Sequence, residues 1–390
     1  MADDQIAPKP LTQSAWFKWS WPILLAFVIL QSLSYHCRLW PTSASGYFAR
    51  GRSDFFDGEY EDAVKNLTRS IEKKADDAES YIWRGVSYVK LHQYEKARPD
   101  LLKALELAPT YAKSHAAYAD YYVSVGDRDA AIKEFTAALE HDPKYGRSYL
   151  ERGQLHFDAG RWTEAAADFR QAASFLDDDQ QALAYVLLWL SRVKGGDAAA
   201  ATTELKATVA GGDVAARWFG MAVDFLTGDK TQPDFITDMA GSRDQDEDKL
   251  EVEAYFIAGE KRLIEGDRPS ALALLREIIR SEVEESYAFD RARAELQKSF
   301  LGLEAMRLDD DSLTIVSVIP GGPAEAAGIT PGSTVETIDD EPADRDVYLD
   351  VLASIDPGLE FEFAIAGADG AKRVATLEIP LTLETSAPTK

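Results

Sequence analysis

A 34-residue step governs residues 51–172, and it rules out a fold built around one compact core. Gly51, Gly85, Ala119 and Gly153 stand in one column, each 34 residues after the last. Ala63, Ala97, Ala131 and Ala165 keep the same step, as do Leu67, Leu101, Phe135 and Phe169, and Ser70, Ala104, Ala138 and Ala172. A helical period of 3.6 residues does not by itself hold small residues at such an interval. A fixed repeat of this length marks stacked supersecondary units, each burying its apolar face against the next. Pro109 and Pro143 close the second and third units.

The second unit carries Tyr81, Gly85, Tyr88, Tyr94, Ala97, Leu101, Ala104 and Pro109. These positions resemble the tetratricopeptide repeat (TPR) family, in which small residues let two antiparallel helices approach and large ones fill the gaps. The resemblance implies an α-solenoid, with four units over residues 44–179. After Asp179 the pattern loosens. Gln181–Val193 and Ala198–Val209 read as a helix pair, and a helix around Val214–Leu226 leads into a polar stretch, Thr227–Asp248, that reads as a long loop or partial helix. Residues 180–251 are thus degenerate repeats and loop. A fifth unit at Val252–Glu285 has Tyr255, Gly259, Gly266, Ala271 and Leu275 in register, and a capping helix, Glu285–Phe300, completes residues 252–300. The order Ala215-Ala216-Arg217-Trp218-Phe219, Glu253-Ala254-Tyr255-Phe256, Gly266-Asp267 and Arg291-Ala292-Arg293-Ala294-Glu295-Leu296 resembles the NlpI-type envelope TPR adaptors over residues 44–298. That resemblance implies partners such as a tail-specific protease and its cell-wall-hydrolase substrates. Those adaptors are lipoproteins, whereas Cys37 follows Ser34-Tyr35-His36 and lacks a lipidation motif.

In the family, the first helix of each unit lines a concave groove. The matching positions are Phe48, Arg52, Phe55 and Phe56 in the first unit and Ile82, Val86, Val89 and Lys90 in the second. The third and fourth contribute Lys113, Asp120, Val123, Leu150, Gln154, Phe157 and Asp158. This mixed apolar set lacks the ordered Lys/Asn clamp of chaperone-binding TPR domains. It suits an extended peptide or partner helix with apolar anchors, or else packing between the chain's own helices.

Beyond Phe300 the period shortens. Ser312–Val318, Thr334–Ile338, Glu360–Ile365 and Val374–Ile379 are rich in Val, Ile, Thr and Phe and read as strands. The segment Pro320-Gly321-Gly322-Pro323-Ala324-Glu325-Ala326-Ala327-Gly328-Ile329-Thr330-Pro331-Gly332-Ser333 resembles the bacterial PDZ signature, with Ser333 and Asp340 departing from the family's usual Asp and Gly. Residues 301–383 would then form a small β-rich PDZ-like domain that adds a partner's C-terminus as a strand. The resemblance places the carboxylate loop at Leu301, Gly302 and Leu303 and the paired strand at Leu303–Arg307, including Ala305. It places Tyr348, Leu349 and Leu352 on the pocket helix, where Leu349 and Leu352 equally suit a core. Residues 301–390 hold 18 acidic and 5 basic side chains, which favours ligands with upstream basic residues.

Residues 1–43 contain the apolar run Trp21–Leu30, with Trp16, Trp19 and Trp21 before it and Tyr35 and Trp40 after it. As a helix, Trp21 to Trp40 would span roughly 28 Å, close to the hydrocarbon thickness of a bilayer with aromatic belts at both rims. A signal anchor or a cleaved signal peptide fits, with Ser32-Leu33-Ser34 or Thr42-Ser43-Ala44 as cleavage sites. Lys9 and Lys18 oppose Arg38, Arg50 and Arg52, so orientation is not read from charge. The later domains are expected to be periplasmic. Residues 384–390 read as a disordered tail.

A formal net charge of −25 repels phosphate backbones, so nucleic acid is not an expected partner. One cysteine excludes an internal disulfide, and His36, His92, His115, His141 and His156 share no metal spacing. No metal or cofactor is expected. No stretch remains for a Ser/His/Asp or Ser/Lys protease domain. The fold expected is mainly α, a solenoid followed by a small β-rich domain and preceded by a membrane or signal helix. The function expected is a non-catalytic scaffold, with a peptide-responsive sensor or a subunit of an envelope protease complex as the alternative.

Overall fold

The computed structural model describes residues 43–380, apart from 213, 215, 242–246, 282, 284–285, 310–311 and 368–369. The apolar run at residues 21–30 and the tail at 384–390 lie outside the described residues. Among the described residues, no helix is long and apolar enough to cross a membrane. The chain divides into two compact units between Pro109 and Thr110.

The first unit holds two helix pairs, α1 (Ala44–Phe56) with α2 (Tyr60–Lys73) and α3 (Ala78–Lys90) with α4 (Tyr94–Leu107). The glycine column explains their closeness. A Cβ on Gly51 would lie 2.7 Å from Leu67 Cγ, and one on Gly85 would lie 2.8 Å from Leu101 Cδ2. Ala63, Leu67, Ala97, Leu101 and Ala104 are fully buried along the seams. Ser43 caps α1 and Asp77 caps α3, each side chain accepting a bond from a first-turn N–H. The two pairs are clamped by Arg84. Its Nε and Nη2 donate to Asp100 at 2.6 and 2.7 Å, and its Nη1 to Thr68 Oγ1 at 3.1 Å.

In the second unit the pattern continues through α5 (Ala112–Ser124), α6 (Arg128–His141), α7 (Gly146–Asp158) and α8 (Trp162–Phe175). The clamp recurs two repeats on, with Arg152 donating to Asp168 at 2.8 and 2.7 Å and to Thr136 Oγ1 at 2.9 Å. Next come α9 (Asp178–Lys194), α10 (Ala198–Gly211) and α11 (Arg217–Leu226). The polar stretch after Leu226 forms a further helix, α12 (Gln232–Ala240), capped by the Thr231 side chain with Pro233 in its first turn. Then follow α13 (Glu247–Glu265), α14 (Arg268–Arg280) and α15 (Tyr287–Leu296).

A five-residue π turn, Gln297–Leu301, carries α15 into a sheet with no intervening linker. The strands are β1 (Leu303–Asp309), β2 (Ser312–Val318), β3 (Thr334–Ile338), β4 (Glu341–Pro342), β5 (Glu360–Ala366) and β6 (Lys372–Glu378). Two short helices interrupt them, α16 (Pro323–Ala326) and α17 (Arg345–Ser354). The antiparallel order is β1-β2-β3-β5-β6 with β4 beside β3, which leaves β1 at one edge. Asp339 and Asp340 turn β3 into β4 with φ of 48° and 68°, the left-handed region that Asp enters more readily than most residues. Asp340 thus takes a left-handed conformation that a glycine would adopt at lower cost. One continuous core runs from Leu150 in α7 to Ile379 beyond β6.

Candidate binding surfaces

The first-helix positions split into an open group and a closed group. In the first unit α1 presents Phe48, Arg52, Phe55 and Phe56 on one face, since residues three, four and eight apart share a side of a helix. Phe56 is 70% exposed, the Arg52 guanidinium lies 5.8 Å from the Phe48 ring centroid, and Phe55 is half-buried. Trp83 of α3, which sequence reasoning did not single out, joins this face. Its ring packs 5.0 Å from Phe55 and 5.3 Å from Phe56, both edge-on. The family's groove positions skip residue 83, and only the packing of α1 on α3 brings it in. Val86 is half-buried, whereas Ile82 and Val89 are buried.

In the second unit the equivalent positions are covered by the chain itself. Phe157 is 1% exposed, and Leu150 and Gln154 are also buried. The Phe157 ring packs on Trp162 at 5.1 Å and Phe169 at 6.4 Å, with Lys194 Nζ 5.5 Å and Arg291 Cζ 5.9 Å from its centroid. Asp158 accepts a bond from Tyr287 Oη at 3.1 Å and lies 3.7 Å from Arg291 Nε. Fully buried Glu260 is paired with Lys194 at 3.0 Å and Arg291 at 3.1 Å. Burial alone would raise the Glu260 pKa, but Arg291 and Lys194 outweigh it and hold the carboxyl below its usual range. Arg291 also pairs with Glu295, which accepts from Arg268 at 2.9 Å. Helices α7, α9, α13, α14 and α15 are thereby tied through one charged cluster, so α15 fills the groove of the fourth repeat. In the third repeat Asp120 pairs with Arg147 at 2.9 Å and Val123 is exposed.

At the sheet end, Leu301 and Leu303 are fully buried and Gly302 joins the π turn to β1. The Gly302 N–H donates to Gln297 O, and its carbonyl accepts from Ile319 N at 2.9 Å. Gly302 has φ +68°, and a Cβ there would sit 2.7 Å from Pro323 Cδ and 2.8 Å from Pro323 N. Its lack of a side chain therefore serves the Gly322-Pro323 turn. Tyr348 and Leu352 are fully buried and Leu349 nearly so. The Tyr348 hydroxyl donates to Gln297 Oε1 at 2.9 Å, and burial pushes its pKa well up. Ala305 lies in β1 opposite Ser317, within an irregular stretch of the ladder. Helix α17 is fastened to α14, because Arg276 donates to Ile355 O at 2.7 Å and Arg280 to Ala353 O at 2.8 Å. Cations at these last carbonyls stabilise the negative end of the α17 dipole.

Among the described residues, no group of three or more His, Cys, Asp or Glu side chains could hold a metal. His115 Nδ1 lies 2.8 Å from Glu134 Oε2, and the His115 and His141 rings pack 5.2 Å apart.

Family models described as tetratricopeptide repeat match residues 78–111 and 117–182, the first beginning where α3 begins. The chain therefore carries tetratricopeptide repeats, modules whose stacked helices expose extended protein-binding surfaces. No curated protein matches the chain. Among solved structures, a crystal structure of MamA is similar over 42% of this chain and 88% of its own, at 18% identity and TM-score 0.35. A thermophilic TPR protein of Thermus thermophilus is similar over 43% and 90%, at 18% identity and TM-score 0.37. The first TPR of Spaghetti (RPAP3), bound to an HSP90 peptide, is similar over 29% and 90%, at 19% identity and TM-score 0.28.

Proposed function

We propose that this chain is a non-catalytic scaffold that holds two protein partners, one on the α1/α3 face and one along β1. The observation that carries the reading is the contrast between the first repeat, where Phe55 is half-buried and its neighbour Phe56 is 70% exposed, and the fourth, where Phe157, which matches Phe55, is 1% exposed. Where the chain fills its own groove, nothing else can enter. The face of Phe48, Arg52, Phe55, Phe56 and Trp83 keeps large aromatic surface in water, which suits a helix or extended peptide with apolar anchors. The second site is a PDZ-like one. Its support is the Pro320–Ser333 signature and a β1 strand hydrogen-bonded to β2 on one side only, among the described residues. Such an edge can take a peptide as a further strand. Holding two ligands on one chain raises their mutual effective concentration without contact between them. Residues 21–40 tether the scaffold to a membrane, with the repeats and sheet in the bacterial envelope.

Site-specific photo-crosslinking tests this in the full chain. A crosslinking residue at position 56 is expected to capture one set of proteins, one at 306 a different set, and one at 157 none. Identical adducts at 56 and 157, or none at 56, would sink the reading. The mass of the mature N-terminus tests the tether, because cleavage after residue 34 or 44 would remove it. The alternative of a peptide-responsive sensor gains one observation. The α17 helix is fastened to α14, so a peptide at the sheet end would load the repeats. The groove occupant is nevertheless α15, not the sheet.

A further inference from the structure

We propose that β1 receives an internal, basic, extended segment of a partner protein rather than a free C-terminus. The inference rests on the reading of β1 as a peptide-binding edge and assigns the class of peptide that this edge takes. It follows from what fills the end of the strand at Leu303.

A free C-terminus docks beside a strand by placing its carboxylate on bare backbone N–H groups at the strand's start and its last side chain in a pocket next to them. Here the chain's own π turn takes both places. A π turn gives each N–H to the carbonyl five residues back, and the Gly302 N–H is donated in this way to Gln297 O. The Gln297 side chain, 5% exposed, then crosses the end of the cleft. Its Nε2 donates to Leu303 O, the first acceptor that β1 offers, at 3.4 Å, and its Oε1 accepts from the Tyr348 hydroxyl of α17 at 2.9 Å. One amide thus bridges the strand and the helix that would flank a terminal residue. Around it Leu301, Leu303, Tyr348 and Leu352 are fully buried, so the chain itself fills the pocket.

Displacing the Gln297 side chain would take from the buried Tyr348 hydroxyl this partner, and a buried polar group left unmet costs more than a typical hydrogen bond returns. The rest of the strand, Ala305–Asp309, is paired with β2 alone among the described residues. An added strand can bond there through backbone groups, provided that its chain runs on past the blocked end. Charge then selects among such segments. Residues 301–390 carry 18 acidic and 5 basic side chains, so segments rich in Lys and Arg are attracted and acidic ones repelled.

The test uses the full chain with a photo-crosslinking residue at position 306 and two phage libraries of random peptides, one ending in a free carboxylate and one embedded between fixed flanks. Peptides captured at 306 are synthesised as the free acid, as the amide and with a Gly-Ser extension, and their affinities are measured by fluorescence anisotropy. The embedded library is expected to yield crosslinked segments with an excess of Lys and Arg, and the three forms should bind within about twofold of one another. A free acid that binds about tenfold or more tightly than its amide, the weight of hydrogen bonds to a charged group, overturns the proposal and leaves β1 as a peptide edge. A captured set with no basic excess overturns it too. Capture from neither library removes the β1 reading itself, and this inference with it.

Discussion

Replacing one phenylalanine in the first repeat and one in the fourth separates a binding surface from a core. Phe157→Ala removes a ring 1% exposed, and Phe56→Ala removes one 70% exposed. Deleting a buried Phe side chain costs about 3–5 kcal/mol, the cavity included. The Phe157 ring also faces Lys194 and Arg291, and removing it deprives both of that contact, although Lys194 keeps Trp162. At Phe56 the expected cost is within about 0.5 kcal/mol, as for most surface substitutions. The chain has two units and need not unfold in one step, so a global midpoint is the wrong readout. Native-state amide exchange resolves it locally. Amides of α7, α9 and α15 should exchange roughly a hundredfold to a few thousandfold faster in Phe157→Ala, since each 1.4 kcal/mol is tenfold. Amides of α1 and α3 should be almost unchanged in Phe56→Ala, while crosslinking partners of that face are lost. A cost below about 1 kcal/mol at Phe157, or above about 2 kcal/mol at Phe56, would refute the division into open and closed repeats.

Three further outcomes follow from the geometry. Gly302→Ala places a Cβ against Pro323 at positive φ and should destabilise the sheet by more than about 1 kcal/mol, measured by calorimetry. An unchanged transition would show that the turn yields. Glu253 is pushed up to about 7, first by burial and then by nearby Asp179, and its Oε2 lacks a hydrogen-bond partner. Because the folded pKa exceeds the ordinary value, this group's contribution is complete below pH 4.5 and is lost as pH rises through 7. The loss is about 3 kcal/mol by linkage. Glu253→Gln should reduce the fall in urea midpoint between pH 5 and pH 8, leaving a remainder from Glu151, also raised to about 7 by burial and Asp120. An equal fall in the variant would exonerate Glu253. Asp168→Ala strands the mostly buried Arg152 and should cost about 3–5 kcal/mol, whereas Arg152→Met with Asp168→Leu should recover most of it in denaturant titrations. A double variant no better than the single would show the pair to be a net gain.

The repeats were legible because their cause is local. Gly51, Gly85 and Gly153 recur since a Cβ there meets Leu67, Leu101 or Phe169, each 16 residues on, and a fixed spacing carries that constraint in the sequence. The α12 helix was half visible, for Thr231 and Pro233 are start signals, but the polar run around them hid it. Closure of the fourth repeat was not legible. Tyr287 and Asp158 meet across 129 residues, and neither residue type announces a partner at that distance. Phe48 and Phe157 look alike as letters, and their difference lies in what α15 does. Tyr348 looked like a pocket residue because its helix faces a cleft in the PDZ family. Here its hydroxyl bonds to Gln297, a residue of the π turn.

That π turn, Gln297–Leu301, sets how a ligand strand would be delivered. Most appended domains swing on a linker, and their cargo explores a volume that grows with linker length. Here α15 passes into β1 with Gln297 bonded to both Tyr348 and Leu303, and Arg276 and Arg280 pin α17 to α14. The sheet is held as a ruler rather than a rope. On the proposed reading, cargo laid along β1 would arrive at one bearing and one height above the helices, so these repeats would fix where a captured segment is offered.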